Sequence, residues 1–346
     1  MKYCSFYIFN GEKRTENAEN NLQMVSCIEK ITIFGAKLYN LKSTYTYPDM
    51  DNLIIKRVRI ERLWNKYNID FPLDEDVNIL VGDNGVGKTT ILSIIIRILF
   101  DYSSKPVVFS CAQVDFSQYY FAKLFVNNDK EELVWYHNNE PIDIESAMFP
   151  LRAVALTTFD KPLYPEKDKA RLKVLHDDIS SDLDMCLYNA IDAYYPYKST
   201  LGSKIRNLIK EGKLQDVNNV FHLADKAKSI CEDLFKDKIW YENEETEGKL
   251  MFKTKGDGVV LKPSQLSSGE KQLLILILKT LIAQDAIALW DEPEISLHVE
   301  WQQKLIRTMR DLNPNMQLII TTHSPAILYD GWDLRALNVN DIRTEI

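Results

Sequence analysis

The octapeptide Gly82-Asp83-Asn84-Gly85-Val86-Gly87-Lys88-Thr89 matches the pattern GxxxxGK[ST] at every defined position. An apolar run, Val77–Val81, precedes it, and the apolar-rich stretch Thr89–Phe100 follows, so the pattern predicts a strand, a loop and a helix. Glycines let backbone N–H groups approach phosphate oxygens that side chains would block. Lys88 adds a positive charge, and the Thr89 hydroxyl suits Mg²⁺. The octapeptide therefore predicts a phosphate-binding loop, called the phosphate loop below.

Two further apolar runs end in polar residues that suit nucleotide chemistry. The first, Ala286–Trp290, leads into Asp291 and Glu292. In nucleotide hydrolysis the first carboxylate of such a pair holds Mg²⁺, and the second polarises the attacking water. The second run, Gln317–Thr321, is followed by His323. Phosphate sites gather at the carboxyl ends of sheet strands, so this histidine is a candidate donor to a γ-phosphate.

The segment Leu266–Glu270 (sequence LSSGE) precedes an apolar helix predicted over Ser268–Ala283. Ser267 and Glu270 have the spacing of a capping box, which simply begins a helix. A helix N-terminus with a glycine and a free serine hydroxyl is also an anion site. The two interpretations are compatible, and the sequence leaves both open.

The remaining pattern predicts an α/β fold. Strands and helices alternate after residue 256, which favours a mostly parallel sheet with helices on its faces. Earlier, Tyr119–Val126 and Glu132–His137 alternate around Asn127-Asn128-Asp129 and predict a β-hairpin. Helix-like spacing predicts a helical insertion, and the stretches that show it are Ala170–His176, Ser181–Ala193 and Ser203–Ile209. The predicted boundaries are 1–164 and 256–346 for two parts of one lobe and 165–255 for the insertion, with the acidic stretch Glu242–Glu247 as a solvated connection.

Composition excludes several classes of protein. The chain has 346 residues, with 42 Lys and Arg against 50 Asp and Glu, which gives a net charge of −8. This balance argues against non-specific coating of nucleic acid. No apolar run reaches the ~18 residues of a membrane span. The five cysteines lie far apart without metal-ligand spacing, which predicts reduced thiols in a cytoplasmic protein.

Together, the motifs resemble the ABC-type ATPases. The phosphate loop, Leu266–Glu270, Asp291-Glu292-Pro293, Ser296-Leu297-His298 and His323 occur in that family's order. Transporter subunits usually carry LSGGQ and DEPT, whereas this chain has LSSGE and DEPEISLH. These variants are similar to the RecF, OLD-nuclease and bacterial anti-phage defence ATPases, among them the Septu- and PARIS-type ATPase subunits.

The resemblance implies a P-loop ABC-type ATPase head with an antiparallel β subdomain and an inserted helical subdomain. It implies ATP and Mg²⁺ as ligands, and a homodimer, or a higher oligomer, that closes around ATP. The residues that it assigns to the nucleotide are Asn84, Gly85, Val86, Gly87, Lys88, Thr89, Thr90, Ser267, Ser268 and Gly269. It assigns catalysis to Glu292, His323 and Lys88, and the metal to Thr89, Asp291 and Gln113.

Two assignments stay open at this stage. The family's metal-contacting glutamine corresponds to Gln113, which is predicted to follow a strand over Val107–Ser110, and Gln118 competes with it. The side chain that faces adenine is expected to be an aromatic or basic residue from 57–67, and the candidates are Tyr67, Arg62 and Trp64.

The biological role has two candidate interpretations. The first is the sensing or regulatory subunit of an anti-phage defence complex, which controls a separate effector such as a nuclease or toxin. It is expected because the chain ends shortly after His323, where OLD-type nucleases continue into a nuclease domain. The second is a RecF-like repair or recombination ATPase that binds nucleic acid. Residues 198–213 carry five Lys or Arg against Glu211, a net charge of 5 − 1 = +4, which suits either nucleic acid or a protein interface.

Overall fold

The computed structural model describes residues 53–100, 107–127, 130–143, 151–156, 179, 181–242, 244–283 and 286–346, and the backbone of two strands at 29–33 and 36–40. Its strands are β1 (Glu29–Ile33), β2 (Ala36–Asn40), β3 (Ile55–Leu63), β4 (Tyr67–Pro72), β5 (Val77–Val81), β6 (Cys111–Phe116), β7 (Tyr120–Asn127), β8 (Lys130–His137), β9 (Glu140–Ile142), β10 (Ala153–Leu156), β11 (Lys238–Tyr241), β12 (Met251–Thr254), β13 (Val260–Leu261), β14 (Ile287–Asp291), β15 (Gln317–Thr321), β16 (Ala336–Asn338) and β17 (Arg343–Glu345). Its helices are α1 (Lys88–Phe100), α2 (Asp182–Lys210), α3 (Leu214–Phe235), α4 (Ser268–Ile282) and α5 (Val299–Leu312).

A parallel sheet of order β10-β14-β15-β5-β16 forms the centre of the lobe. Strands β14 and β15 are buried at every position, as expected for apolar strands covered on both faces. Asp291 pairs in register with Thr321, and Thr321 pairs with Leu80. The carboxyl ends of β14, β15 and β5 therefore meet at one edge of the sheet, and the phosphate loop leaves β5 at this edge.

An antiparallel sheet of order β17-β4-β3-β6-β7-β8-β9 packs on the other side of α1. In β3, Val58 and Ile60 are buried whereas Arg57 is exposed, which confirms a half-buried strand. The buried Gln317 side chain joins the two sheets: its amide nitrogen donates to Ile55 O at 2.8 Å, and its amide oxygen accepts from Ile55 N at 2.8 Å. The helix α1, which starts at the phosphate loop, is thus held between two sheets.

The inserted region packs on α4. Helices α2 and α3 contact α4, and a small antiparallel sheet, β11-β12-β13, follows them. Two ion pairs of low exposure attach this region to the first turns of α4: Lys271 Nζ lies 2.7 Å from Asp184 Oδ1, and Lys238 Nζ lies 2.8 Å from Glu270 Oε1. From Asp182 onward, the predicted insertion is therefore helical over α2 and α3 and ends in strands.

The structure confirms most of the predicted elements. The hairpin β7–β8 pairs Asn127 with Lys130, and the strand predicted over Gln317–Thr321 has the observed bounds. The helix predicted over Ala170–His176 lies outside the described residues, and so does the boundary at residue 165, so the division into three parts stays a prediction. No helix in the described part of the chain is long and apolar enough to cross a membrane.

Two predictions about local structure are wrong. The strand expected over Val107–Ser110 forms four residues later as β6, so Gln113 lies within a strand and not after one. Glu242, expected in a solvated connection, has a largely buried side chain that accepts from the Trp240 indole N–H at 3.2 Å and pairs with Lys198. In both cases a partner that is distant in the sequence overrides the local pattern.

Candidate functional site

The phosphate loop places Lys88 at the first position of α1, where its side chain is only 4% exposed. Its Nζ donates to Gly82 O at 2.8 Å and to Asp83 O at 3.1 Å, so the loop curls around the ammonium group. Gly87 has φ +112°, and a Cβ there would lie 3.0 Å from the Trp64 ring. Glycine is therefore required at this position by both the backbone conformation and the space.

Burial lowers the pKa of the Lys88 amine, and the nearby carboxylates of Glu292 and Asp291 oppose this shift. The ammonium group is thus partly shielded from water, and its hydrogen-bond partners, two backbone carbonyls and the His323 ring, carry no full negative charge. Such a cation is poised to bind an anion strongly, because screening by solvent is weak there. A phosphate group would supply the missing negative charge.

Thr89 and Asp291 lie together beside the lysine. Thr89 Oγ1 donates to Asp291 Oδ1 at 2.9 Å, and Thr321 Oγ1 donates to the same oxygen at 2.5 Å. A hydroxyl and a carboxylate are the oxygen ligands that Mg²⁺ takes in nucleotide sites, where water and phosphate complete the shell. Among the described residues, no group of three or more His, Cys, Asp or Glu side chains is arranged to hold a metal alone. The pair therefore fits a Mg²⁺ ion that is bound together with phosphate.

His323 lies between Lys88 and Glu292. Its Nδ1 is 3.2 Å from Lys88 Nζ, and its Nε2 is 3.3 Å from Glu292 Oε1. An ammonium group has no lone pair to accept a hydrogen bond, so Nδ1 is the acceptor and the proton of a neutral ring lies on Nε2, toward Glu292. Glu292 has φ +46°, an uncommon conformation for a non-glycine residue that is found at functional sites.

The signature segment, Leu266–Glu270, forms the first turn of α4. The Ser267 side chain accepts from Glu270 N, and Glu270 Oε2 accepts from Ser267 N at 2.9 Å, so the predicted capping box is present. Ser267 and Ser268 are exposed. Gly269 is buried, and a Cβ there would lie 2.5 Å from Ser296 O. The segment is therefore packed on its own chain by the glycine, and it presents its serines to solvent.

The chain is similar to one family model and to several known proteins. Residues 157–328 match the family model described as "AAA domain, putative AbiEii toxin, Type IV TA system". The chain is similar to the Retron Vc95 probable ATPase of Vibrio cholerae serotype O1 biovar El Tor, with 25% identity over 77% of this chain and 60% of the relative. It is also similar to the Septu protein PtuA of Bacillus thuringiensis, with 24% identity over 79% of this chain and 72% of the relative. The chain is therefore similar to Septu PtuA and to the probable ATPases of two retrons.

The match spans only 60% of the length of the retron relative. Among solved structures, the Smc head domain from Pyrococcus furiosus is similar with a TM-score of 0.48 at 16% identity, over 85% of this chain and 96% of that chain.

Four of the other predicted site residues lie in or next to the phosphate loop, and Gln113 lies in the antiparallel sheet. Asn84 and Gly85 are exposed at the top of the loop, and Val86 and Thr90 are half-buried at its base. Gln113 lies in the antiparallel sheet, where its amide nitrogen donates to Asp115 Oδ1 at 2.5 Å. Strand β14 is paired with β10 and β15 in the parallel sheet, and Leu156, at the end of β10, pairs with Trp290 next to Asp291.

Two side chains at the site, Glu294 and Gln302, were not predicted. Glu294 is 4% exposed and accepts from His323 N at 3.3 Å, and Gln302 accepts from Ser324 Oγ at 2.6 Å. Trp64, one of three open candidates for the side chain that faces adenine, has its ring next to Gly87 of the phosphate loop. The third carboxylate of Asp-Glu-Pro-Glu was visible in the sequence, but its partners come from another strand and no spacing rule connects them.

Proposed function

We propose that this chain binds Mg-ATP at the phosphate loop and hydrolyses it to ADP and phosphate. The observation that carries this proposal is the position of His323 between Lys88 and Glu292, beside the paired oxygens of Thr89 and Asp291. A cation, a carboxylate base and an oxygen pair within one cluster are the groups that phosphoryl transfer requires.

Each residue has a distinct role in the proposed reaction. Lys88 and the backbone N–H groups of the loop bind the β- and γ-phosphates. Glu292 orients the attacking water and accepts its proton. The Nε2–H of His323, which faces Glu292 in the structure, donates instead to a γ-phosphate oxygen once ATP is bound and charge develops there. Thr89 and Asp291 would hold Mg²⁺, which when bound neutralises charge on the β- and γ-phosphate oxygens.

We further propose that hydrolysis takes place in a dimer. The N-terminus of α4 carries the exposed Ser267 and Ser268, and N–H groups at a helix start favour an anion. The neighbouring loop exposes apolar side chains: Ile295 is 45% exposed and Val299 is 50% exposed. In the dimer, this face would contact the γ-phosphate bound to the other copy.

The proposed biological role is that of the ATPase subunit of an anti-phage defence system, acting in the cytoplasm on a separate effector. Its support is the similarity to Septu PtuA and to the retron ATPases, together with the Asp-Glu-Pro-Glu and Leu-Ser-Ser-Gly-Glu variants of the motifs.

The decisive variant is Glu292→Gln. Loss of the general base is expected to lower kcat by about 10²–10⁴-fold, with ATP affinity retained and an ATP-bound dimer accumulating. Phosphate release and light scattering measure the two effects. Glu75→Gln, which changes an exposed carboxylate paired with Lys56, is the matched control. Wild-type turnover by Glu292→Gln would mean that another group is the base.

Affinity capture of tagged Glu292→Gln from its native host, with ATP present, tests the biological role. A stoichiometric nuclease- or toxin-like protein would support the effector proposal. Nucleic acid alone would support the second candidate, a RecF-like ATPase, which one observation favours: Lys204, Arg206 and Lys210 are exposed near the end of α2 in a chain of net charge −8.

A further inference from the structure

Glu294 is a buried carboxyl group to which the proposed hydrolysis assigns no role. It is 4% exposed, and its Oε1 accepts from Thr322 Oγ1 and, at 3.3 Å, from His323 N. Its Oε2 is buried and has no hydrogen-bond partner among the described residues. Burial raises the pKa of this carboxyl, which indicates that the site is poorly solvated. Burying a carboxyl group costs free energy unless hydrogen bonds compensate, and here only one of its two oxygens has hydrogen-bond partners among the described residues.

The hydrogen bonds of Glu294 connect two loops at the edge of the sheet. Glu294 follows β14, whereas Thr322 and His323 follow β15. Thr322 Oγ1 also accepts from Ser324 N at 2.9 Å, so the hydroxyl fixes the turn on both sides of His323. The position of the His323 backbone is therefore set from the loop that carries Glu292.

Gln302, on α5, connects the same two loops a second time. Its amide nitrogen donates to Leu297 O at 2.9 Å, and its amide oxygen accepts from Ser324 Oγ at 2.6 Å. Gln302 restrains the ends of the two loops, but it makes no contact with the His323 peptide. Glu294 is the side chain that accepts directly from the backbone of the histidine.

We propose that Glu294 is a positioning residue, which holds the His323 backbone so that the imidazole stays against Lys88 and Glu292. The inference rests on the proposed ATP hydrolysis. The restraint acts on the backbone N–H of His323 and so fixes the position of its Cα. From that position the ring lies 3.2 Å from Lys88 Nζ through Nδ1 and 3.3 Å from Glu292 Oε1 through Nε2. Without it, the histidine would adopt several positions, and few of them would reach the γ-phosphate.

The first experiment compares Glu294→Ala with Glu294→Gln. Alanine removes the oxygen that accepts from Thr322 Oγ1 and His323 N, whereas glutamine keeps an acceptor oxygen and the volume. We expect kcat to fall about tenfold in Glu294→Ala, with the KM for ATP near the wild-type value, and Glu294→Gln to recover most of the rate. An unchanged kcat in Glu294→Ala, or an equal loss in both variants, would overturn the proposal.

A double-mutant cycle shows whether Glu294 acts through the histidine. In a His323→Ala background, Glu294→Ala should lower kcat no further, because the group that it positions is already absent. A full additional loss would mean that Glu294 acts elsewhere and would refute the assignment. A merely structural role predicts that additional loss.

A second variant covers the case in which Glu294→Ala does not fold. Thr322→Val removes one donor to Glu294 and keeps the shape of the side chain, so kcat should fall with little change in KM. Thr280→Val is the matched control, because Thr280 is a buried threonine like Thr322. Its hydroxyl donates to Met309 Sδ and not to Glu294. Equal kcat values in the two variants would count against the proposal.

Failure of this inference and failure of the proposed function are distinguishable. A wild-type chain that binds ATP and never releases phosphate, alone or as a dimer, refutes the proposed function and this inference with it. A wild-type chain that hydrolyses ATP, together with a Glu294→Ala variant of equal kcat, refutes the inference alone.

Discussion

The phosphate loop and the signature segment both present a helix N-terminus, but they differ in how far their own chain satisfies them. Lys88 is 4% exposed, and its Nζ contacts two backbone carbonyls and a histidine. Ser267 and Ser268 are exposed, and the hydrogen bonds of Ser267 are made within its own capping box. The first region is enclosed, whereas the second faces outward.

The difference follows from how each region is built. The enclosed site needs the adjacent carboxyl ends of β5, β14 and β15, and only the folded sheet brings these together. The signature segment needs one capping box and the close packing of Gly269 on Ser296 O. One chain therefore brings Lys88, Glu292, Thr89 and Asp291 together, whereas the signature serines are exposed, and in the proposed dimer they would face the second copy.

The largest expected effect is on the enclosed region. Lys88→Ala removes a buried cation, and a charged hydrogen bond contributes about 1.5–3 kcal/mol, so ATP affinity should fall at least about tenfold. Isothermal titration with ATP measures the loss. Lys255→Ala, at an exposed lysine, should bind as the wild type does. Unchanged affinity in Lys88→Ala would mean that the enclosed lysine does not contact phosphate.

A smaller effect is expected in the outward region. Ser267→Arg places a bulky side chain at the exposed start of α4, so we expect kcat to fall about tenfold while a single chain keeps its ATP affinity. A loss of binding equal to that of Lys88→Ala would show that the two regions act on one nucleotide within one chain.

Mixing the two variants sharpens this comparison. In a heterodimer of Lys88→Ala and Ser267→Arg, one composite site carries both defects, and the other combines an intact phosphate loop with an intact signature segment. The mixture should therefore hydrolyse ATP faster than either variant alone. No recovery on mixing would contradict the proposed dimer.

The same contrast explains which parts could be predicted from the sequence. The phosphate loop, the capping box at Ser267 and the strand that ends at Asp291 are local patterns, and the structure shows each of them. The Gln113 assignment rested on a strand expected over Val107–Ser110, whereas the strand forms at Cys111–Phe116, where it pairs with β3 and β7. The hydrogen bonds of Glu294 could not be predicted from the sequence either, because its partners Thr322 and His323 lie 28 and 29 residues away.

The smallest expected effect concerns the wall of the enclosed region. Trp64 has φ +55°, a conformation that costs a bulky residue about 1–2 kcal/mol. This turn places the Trp64 ring against Gly87, with the Tyr67 ring edge-on at 6.5 Å. A strained aromatic residue beside a phosphate loop suits a stacking surface for a nucleotide base.

We therefore expect Trp64→Ala to weaken ATP binding about fivefold, in line with a stacking contribution of about 1 kcal/mol. Trp64→Phe should keep most of the affinity, because it retains a ring, and triphosphate without a base should bind both variants equally. The measurement is a titration of each variant with ATP and with inorganic triphosphate. If Tyr67→Ala loses more affinity for ATP than Trp64→Ala does, the base lies on Tyr67, and the enclosed region extends farther along β4 than the contact at Gly87 implies.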